Sequence, residues 1–365
     1  MRFLMLSWRD PRNPKSGGAE RVSQAYLAAL RQRGHDVYWY ANDFPGGPHE
    51  EVIDGVRIVR GGGQGSSVLK AIRWYRQQQP FDLVIDQHHG IPWFAPWWCR
   101  TNCVAYLHEV LGPIWAAFYS WPLSSIGRWQ ERWTHWLYRK VRFWVGSEST
   151  QRALQRRGVR DVTVIHYGID LAPLAQLESK PLALPLRLIA VSRLAPNKRV
   201  DHAIEAAKIL LQRGIETQLT IVGSGEVESL LRQMANQPEL AGHVTFTGQL
   251  SEAEKDLQLR RAHLLVHTSI REGWGLNVLE ANAMGTPAIV YPVDGLVDAT
   301  IDGQTGIVTR QETPASVAEG IMALLKTPEK YQRFREQACA RTREFQWSQI
   351  LPPACDWLEK QAGRK

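Results

Sequence analysis

The feature that most constrains this chain is a recurring alternation of short apolar runs with longer amphipathic stretches. Residues 2–7, 36–41, 81–86, 103–108, 143–146 and 162–166 are apolar runs, and segments such as 20–33 between them have helical periodicity. Apolar runs without polar alternation suit strands buried on both faces, and strands separated by helices suit right-handed crossovers. The rhythm therefore predicts a parallel sheet covered on both sides. It pauses over 168–185, which holds Pro173, Pro181 and Pro185 and reads as a linker. It restarts with strands expected at 186–192, 218–222, 243–246, 262–267 and 288–291, and helices at 199–213, 226–237 and 276–284. A helical run from Pro314 has no strand after it. The 365 residues thus divide into two doubly wound, Rossmann-like α/β domains, and such domains bind ligands at the carboxyl ends of their strands.

The net charge of +8 favours an anionic partner: nucleic acid, an anionic membrane face or a diphosphate. Composition is that of a globular protein, 44% hydrophobic and 22% charged, which argues against disorder. Cys99, Cys103, Cys339 and Cys355 lack the paired spacing of a metal site, so they read as reduced thiols in a cytoplasmic protein with no bound metal. Residues 1–7 read as a strand rather than a signal peptide. No run reaches the roughly 20 apolar residues that a membrane span needs.

Three loops have features suited to phosphate. Gly17-Gly18 follows the first strand and opens a helix, where backbone N–H groups and the helix dipole face outward. A packing turn fits the same residues equally well. Arg193 and Lys198 follow strand 186–192 and precede a helix. A forked guanidinium and a mobile ammonium there suit a diphosphate better than a solvated surface pair. Gly223-Ser224-Gly225 lacks the third glycine of a dinucleotide fingerprint, so it either flanks a nucleotide or turns a strand into a helix.

The most specific segment runs from His267 to Ala281. A strand ends near His267, Glu272 follows in a glycine-rich loop with Gly273, Trp274 and Gly275, and Glu280 lies in the helix that begins at Leu276 and Asn277. A loop carboxylate can accept hydrogen bonds from sugar hydroxyls, and a helix carboxylate from a ribose diol.

Glu272 and Glu280, with seven residues between them and Gly273-Trp274-Gly275-Leu276 after the first, resemble the signature of retaining GT-B glycosyltransferases, and more narrowly glycosyltransferase family 4 (group 1). Gly17-Gly18, Val191-Ser192-Arg193-Leu194 with Lys198, Val222-Gly223-Ser224-Gly225, Phe246-Thr247-Gly248 and Gly295…Gly303…Gly306 follow in family order. The resemblance implies an acceptor-binding domain over 1–170 and a donor-binding domain over 171–345. A final helix at about 347–361 returns to the first domain, and the active site lies in the cleft between the two. It also implies site roles. Gly17, Gly18, Arg193 and Lys198 would face the diphosphate, Glu272 the donor sugar and Glu280 the ribose. The amides of Leu276 and Asn277 would touch sugar or phosphate, and Gly223 would lie among the donor-binding residues. His108, at the end of strand 103–108, would sit beside the sugar. His108, Glu272, Arg193 and Lys198 are the expected catalytic set. Trp274 stands where Phe is commoner, which points to an altered sugar pocket, and Tyr167 stands where Asn is usual.

The expected reaction moves a hexose-type sugar from a UDP- or GDP-linked donor to a hydroxyl of a glycan, lipid-linked or small-molecule acceptor, with retention and without a metal or other cofactor. Rivals are a nucleotide-sugar epimerase or phosphorylase on the same scaffold, a nicotinamide-dependent oxidoreductase resting on Gly223-Ser224-Gly225, and a non-catalytic binding protein. The 15 tryptophans include Trp115, Trp121, Trp129, Trp133, Trp136 and Trp144, with Arg128, Arg132, Arg139, Lys140 and Arg142 interleaved. The helical face of Ile126, Trp129, Trp133 and Trp136 either packs on the sheet or lies on the anionic inner face of the plasma membrane. Nucleic acid is not an expected partner.

Overall fold

The computed structural model describes residues 1–63, 65–88 and 90–363. They form two compact units: Met1–Leu111 with Ile126–Gly168 and Trp347–Lys365, and Gly112–Ser125 with Ile169–Gln346.

The first unit is built on an eight-stranded sheet. Its strands are β1 (Arg2–Leu6), β2 (Asp36–Ala41), β3 (Glu50–Ile53), β4 (Val56–Arg60), β5 (Leu83–His88), β6 (Asn102–Leu107), β7 (Arg142–Val145) and β8 (Val162–Val164), in the order β3-β4-β2-β1-β5-β6-β7-β8. Every residue of β5 is buried, as expected of a central strand with helices on both faces. One correction to an all-parallel sheet is β3, which pairs antiparallel with β4 at the edge. Asp54 and Gly55 join them with φ of 49° and 79°, the two positive values of a tight hairpin. Charged Glu50 and Glu51 on this edge strand masked it in the sequence.

Helix Gly18–Gln32 follows β1, and the last helix, Trp347–Ala362, packs beside it. Arg33 pairs with Asp356 at 2.6 Å, and His35 meets Glu359 at 2.8 Å. Trp347 lies edge-on to Tyr26, and a Cβ at Gly168 would fall 2.4 Å from the Trp347 ring, so glycine is required there.

Helix Leu123–Leu137 does not pack its aromatic face on the sheet. Its aromatic face is turned outward: Trp129 is 67% exposed, and Ile126, Trp133 and Trp136 are exposed too. Its polar side is buried instead. Glu131 accepts from the Leu111 N–H at 2.6 Å and pairs with Arg157 at 3.3 Å, and His135 and Thr134 are buried with it.

The second unit has a six-stranded sheet, all parallel: β9 (Leu186–Val191), β10 (Thr217–Val222), β11 (Val244–Gly248), β12 (Leu264–His267), β13 (Ala288–Val290) and β14 (Gly306–Val308), in the order β11-β10-β9-β12-β13-β14. The short edge strand β14 was not evident in the sequence, where only its glycine stood out. The segment Gly112–Ser125 groups with this unit, its helix Ile114–Phe118 lying against the turn Pro196–Lys198.

Candidate active site

The second unit gathers its site at the carboxyl ends of β9 and β12. The chain leaves β9 at Val191, passes Arg193, and makes a single 3₁₀ turn over Pro196–Lys198. It leaves β12 at His267 and enters the loop that carries Glu272. Two hydrogen bonds tie these loops together. Ile270 N–H donates to the Asn197 carbonyl at 2.9 Å, and the Thr268 hydroxyl to the Arg199 carbonyl at 2.7 Å. They bring Lys198 to Glu272, 74 residues away, with Nζ donating to Oε1 at 2.5 Å. The Ser269 hydroxyl donates to the same oxygen at 2.7 Å, and His267 Nε2 lies 3.7 Å from it.

Burial alone would push the Glu272 carboxyl up, but the Lys198 ammonium beside it holds it below the usual carboxylate range. Burial pushes His267 down to about 4, and Lys198 adds to that against the opposing pull of Glu272, so the imidazole is neutral. The cluster is thus a carboxylate, an ammonium, a hydroxyl and a neutral imidazole. The Glu272 loop is held from behind by Gly295, φ 81°, where a Cβ would fall 2.2 Å from the Glu272 carbonyl oxygen.

Gly275, φ 81°, caps helix Leu276–Ala283, and the Asn277 side-chain amide donates to the Val191 carbonyl. The helix start is thereby fixed to the end of β9, with Leu276 and Asn277 as its first residues. Trp274 lies inside the unit. Its indole is buried against Phe345, ring centroids 5.3 Å apart, so it fills the core behind the loop rather than lining an open pocket.

The other expected residues have surroundings of their own. Arg193 is exposed. Glu280 is buried and takes a hydrogen bond from Lys255 Nζ at 2.9 Å; Lys255 also reaches Glu252 at 2.6 Å. Burial works against the Lys255 ammonium, yet Glu280 and Glu252 raise it above its ordinary value. Lys255, on helix Glu252–Arg261, was missed because nothing local marks a lysine in a charged helix as the partner of a residue 25 positions on. Gly223 and Gly225 have a packing reason: a Cβ would lie 2.0 Å from the Ser192 carbonyl oxygen and 2.2 Å from that of Leu194, respectively. Their bareness lets this turn press against the loop carrying Arg193.

In the first unit, Gly17 caps helix Gly18–Gln32, and its N–H donates to Glu20 Oε2 at 2.7 Å. Glu20 is buried and also pairs with Arg9 at 3.0 Å. The first helical turn is therefore already faced by a carboxylate of its own chain. His108 is buried at the end of β6, with Gln87 Nε2 2.5 Å from its Nε2 and the Tyr167 hydroxyl 2.7 Å from its Nδ1. Tyr167, which departs from the family pattern, orients this ring together with Gln87.

The family model for glycosyl transferases group 1 matches residues 181–341, and that for glycosyltransferase family 4 matches 16–173. The chain is 27% identical to a glycogen synthase of Mycobacterium tuberculosis over 96% of its own length and 92% of that protein's. It is 31% identical to a poly(glycerol-phosphate) alpha-glucosyltransferase of Bacillus subtilis over 44% of this chain and 24% of that one. Among solved structures, a sucrose-phosphate synthase from Thermosynechococcus elongatus superposes with a TM-score of 0.79 at 18% identity, covering 98% of each chain. Anabaena HepE in complex with UDP-glucose gives 0.73 at 20% identity, over 99% of this chain and 100% of that one. With the two family models together spanning most of its length and GT-B glycosyltransferases as its structural neighbours, the chain belongs to the GT-B glycosyltransferases of family 4, group 1.

Proposed function

We propose that this glycosyltransferase is a retaining, metal-independent enzyme that moves a hexose-type sugar from a nucleoside-diphosphate donor to a hydroxyl of a glycan, lipid-linked or small-molecule acceptor. The observation that carries the reading is the Lys198–Glu272 pair at the carboxyl ends of β9 and β12. Departure of a nucleoside diphosphate develops negative charge. Lys198 and the amides of Leu276 and Asn277 are donors fixed in advance for that charge, and the exposed fork of Arg193 is a further donor to it. Glu272, held ionised by Lys198, is an acceptor for donor-sugar hydroxyls. Glu280, held by Lys255, takes the ribose diol.

The family resemblance assigns His108, oriented by Gln87 and Tyr167, to the donor sugar and Gly17 and Gly18 to the diphosphate. Gly223 and Gly225 shape the donor site through the Arg193 loop. The acceptor hydroxyl attacks on the face the leaving group vacates. The C–O bond to the sugar forms as the bond to the phosphate oxygen breaks, and that oxygen takes the acceptor proton. No protein nucleophile is then required. Charge stabilisation by Lys198 and Arg193 takes the place of a metal in this reading. The relatives do not favour an epimerase or a nicotinamide-dependent oxidoreductase.

UDP-glucose is the first donor to test, since the Anabaena neighbour was solved with it. The experiment is a panel of UDP-, GDP- and dTDP-sugars read as nucleoside diphosphate release, with the anomeric configuration of the product assigned by NMR. Inversion at the anomeric carbon would overturn the mechanism, and no release with any donor would overturn the donor class.

A membrane-proximal acceptor, at the inner face of the plasma membrane, is favoured by the outward aromatic face of helix Leu123–Leu137. Ile126, Trp129, Trp133 and Trp136 are exposed beside Arg132 and Lys140, and the Arg139 guanidinium lies 4.4 Å from the Trp136 ring centroid. Aromatic side chains favour the bilayer interface, and each basic side chain adds about 1 kcal/mol at an anionic surface. No helix among the described residues is long and apolar enough to cross a membrane, so attachment would be peripheral. Co-sedimentation with anionic and neutral vesicles tests it: binding should require anionic lipid and weaken with salt. Protein remaining in the supernatant with anionic vesicles at low salt would leave a soluble acceptor.

A further inference from the structure

The second unit has a cavity of about 410 Å³ at the opposite ends of its strands from Lys198 and Glu272. It is lined by Lys180 before β9, Arg187 at the start of β9, Arg260 and Arg261 at the end of helix Glu252–Arg261, and Arg335 on helix Pro328–Arg341. The one carboxylate in the lining is Glu178, largely exposed and paired with Arg260. Five cations against one anion is an unusual balance for a partly enclosed space.

The deeper cations are anchored on neutral oxygens. Lys180 Nζ donates to the Arg260 and Ala262 carbonyls at 3.0 and 2.6 Å and to the Thr286 hydroxyl at 2.7 Å. Arg335, nearly fully buried, donates from Nε to the Gly285 carbonyl at 3.0 Å and from Nη2 to the Glu178 carbonyl at 2.8 Å. Carbonyls satisfy the donors without cancelling the charge. The positive potential registers on the neighbours. Burial, then Arg335, Arg187 and Arg260, push Lys180 down to about 7. Burial, then Arg187, Lys180 and Arg335, push His263 down to about 3. At the rim, Arg187 uses Nε on the Arg261 carbonyl at 2.8 Å, and the Arg261 guanidinium makes no side-chain hydrogen bond among the described residues. Two planar forks are therefore presented to the cavity mouth. Leu174, Leu257 and Met284 supply an apolar wall.

We propose that this cavity is a second ligand site, separate from the donor site, that binds the phosphate monoester of a small polyol such as a sugar phosphate. Bidentate guanidinium forks suit a phosphate dianion. The volume exceeds what bare phosphate fills and falls in the range of small-molecule pockets.

The test is isothermal calorimetry on the full chain with glucose 6-phosphate, inorganic phosphate and sulfate, comparing wild type with Arg187→Ala/Arg261→Ala. Saturable one-site binding is expected, several-fold tighter for glucose 6-phosphate than for phosphate and at least tenfold weaker in the variant, with UDP affinity unchanged as the check on folding. Phosphate binding as tightly as glucose 6-phosphate would overturn the sugar part of the assignment. Absence of saturable heat, equal affinity in the variant, or displacement of glucose 6-phosphate by UDP would overturn the site. If the alanine variant does not fold, Arg187→Lys/Arg261→Lys carries the test: it keeps the charge and loses the forks, so affinity should fall several-fold, and unchanged affinity would overturn the proposal.

Sulfate, which does not titrate near neutrality, gives the pH arm. Lys180 faces Arg187, Arg260, Arg261, Arg335, Glu178 and a neutral His263. A bound anion favours its ammonium form, so binding should take up protons and tighten as pH falls through about 7. A pH-independent sulfate affinity would overturn the placement of Lys180 in the site.

Discussion

Lys198→Ala is the substitution that bears most directly on the active-site reading. It removes the ammonium 2.5 Å from Glu272 Oε1 and leaves that carboxylate with the Ser269 hydroxyl and a neutral imidazole. Breaking a buried pair costs about 3–5 kcal/mol. Both side chains keep some exposure, 20% and 15%, which places the expected loss near the lower end, about 3 kcal/mol. For a unit of this size that is a fall in Tm of roughly 6–12 °C.

Turnover should fall by about a hundred- to a thousand-fold, the usual effect of deleting one fixed donor to developing charge. The double variant Lys198→Ala/Glu272→Gln separates the two losses. Removing the stranded carboxylate charge should restore part of the Tm, while turnover stays low. The pH dependence follows from the sign of each shift. In wild type the Glu272 carboxyl lies below its unfolded value, so the pair stabilises above about pH 4.5 and the benefit is lost as pH falls through the folded value. In Lys198→Ala only the Ser269 hydroxyl and His267 still oppose burial, so the carboxyl rises and the stabilisation gained above about pH 4.5 shrinks. The gap between the two proteins should therefore widen from about pH 4 to pH 7. Calorimetric melts over that range and a coupled nucleoside diphosphate assay provide the readings. A variant turning over within about tenfold of wild type, or a double variant that regains activity, would refute the reasoning.

Chelation should leave turnover intact; activity lost with EDTA and restored by Mg²⁺ or Mn²⁺ would replace Lys198 and Arg193 with a metal as the charge acceptor. Glu272→Gln should impair donor-sugar use more than UDP binding, whereas Glu280→Gln, which also strands Lys255, should impair both; equal calorimetric losses for UDP would contradict that division. Gly223→Ala should lower the Tm of the second unit, because its Cβ would lie 2.0 Å from the Ser192 carbonyl oxygen at φ 129°. The cost should be about 3 kcal/mol or more, and an unshifted melt would show that the turn relaxes freely.

Much of the candidate site was legible because its signals are local. Glu272, Gly275 and the helix start at Leu276 lie within one short segment, and the glycine spacing reports backbone needs that hold wherever the segment sits. His267 lies in the same segment, but its role depends on how deeply β12 is buried and on Lys198, which arrives from another loop. Lys255 and Gln87 left no sequence signal, and Tyr167 stood out only as a departure from the family pattern, since each acts on a residue 21 to 59 positions away through contacts the sheet order creates. The hairpin Glu50–Ile53 to Val56–Arg60 was hidden for a different reason: an edge strand needs only one side covered, so its charged residues do not look like a strand.

The amino-acid sequence by itself determined the two-sheet α/β architecture, because doubly buried strands must be apolar throughout and the helices between them must carry one apolar stripe. It also determined the loop chemistry after β12, because positive-φ turns demand glycine. Tertiary structure alone decided which way helix Leu123–Leu137 faces. Periodicity places Ile126, Trp129, Trp133 and Trp136 on one side and Glu131, Thr134 and His135 on another, but it is indifferent to which side meets the core. The Leu111 amide and Arg157 gave buried Glu131 its partners, and the aromatic side was left to the surface.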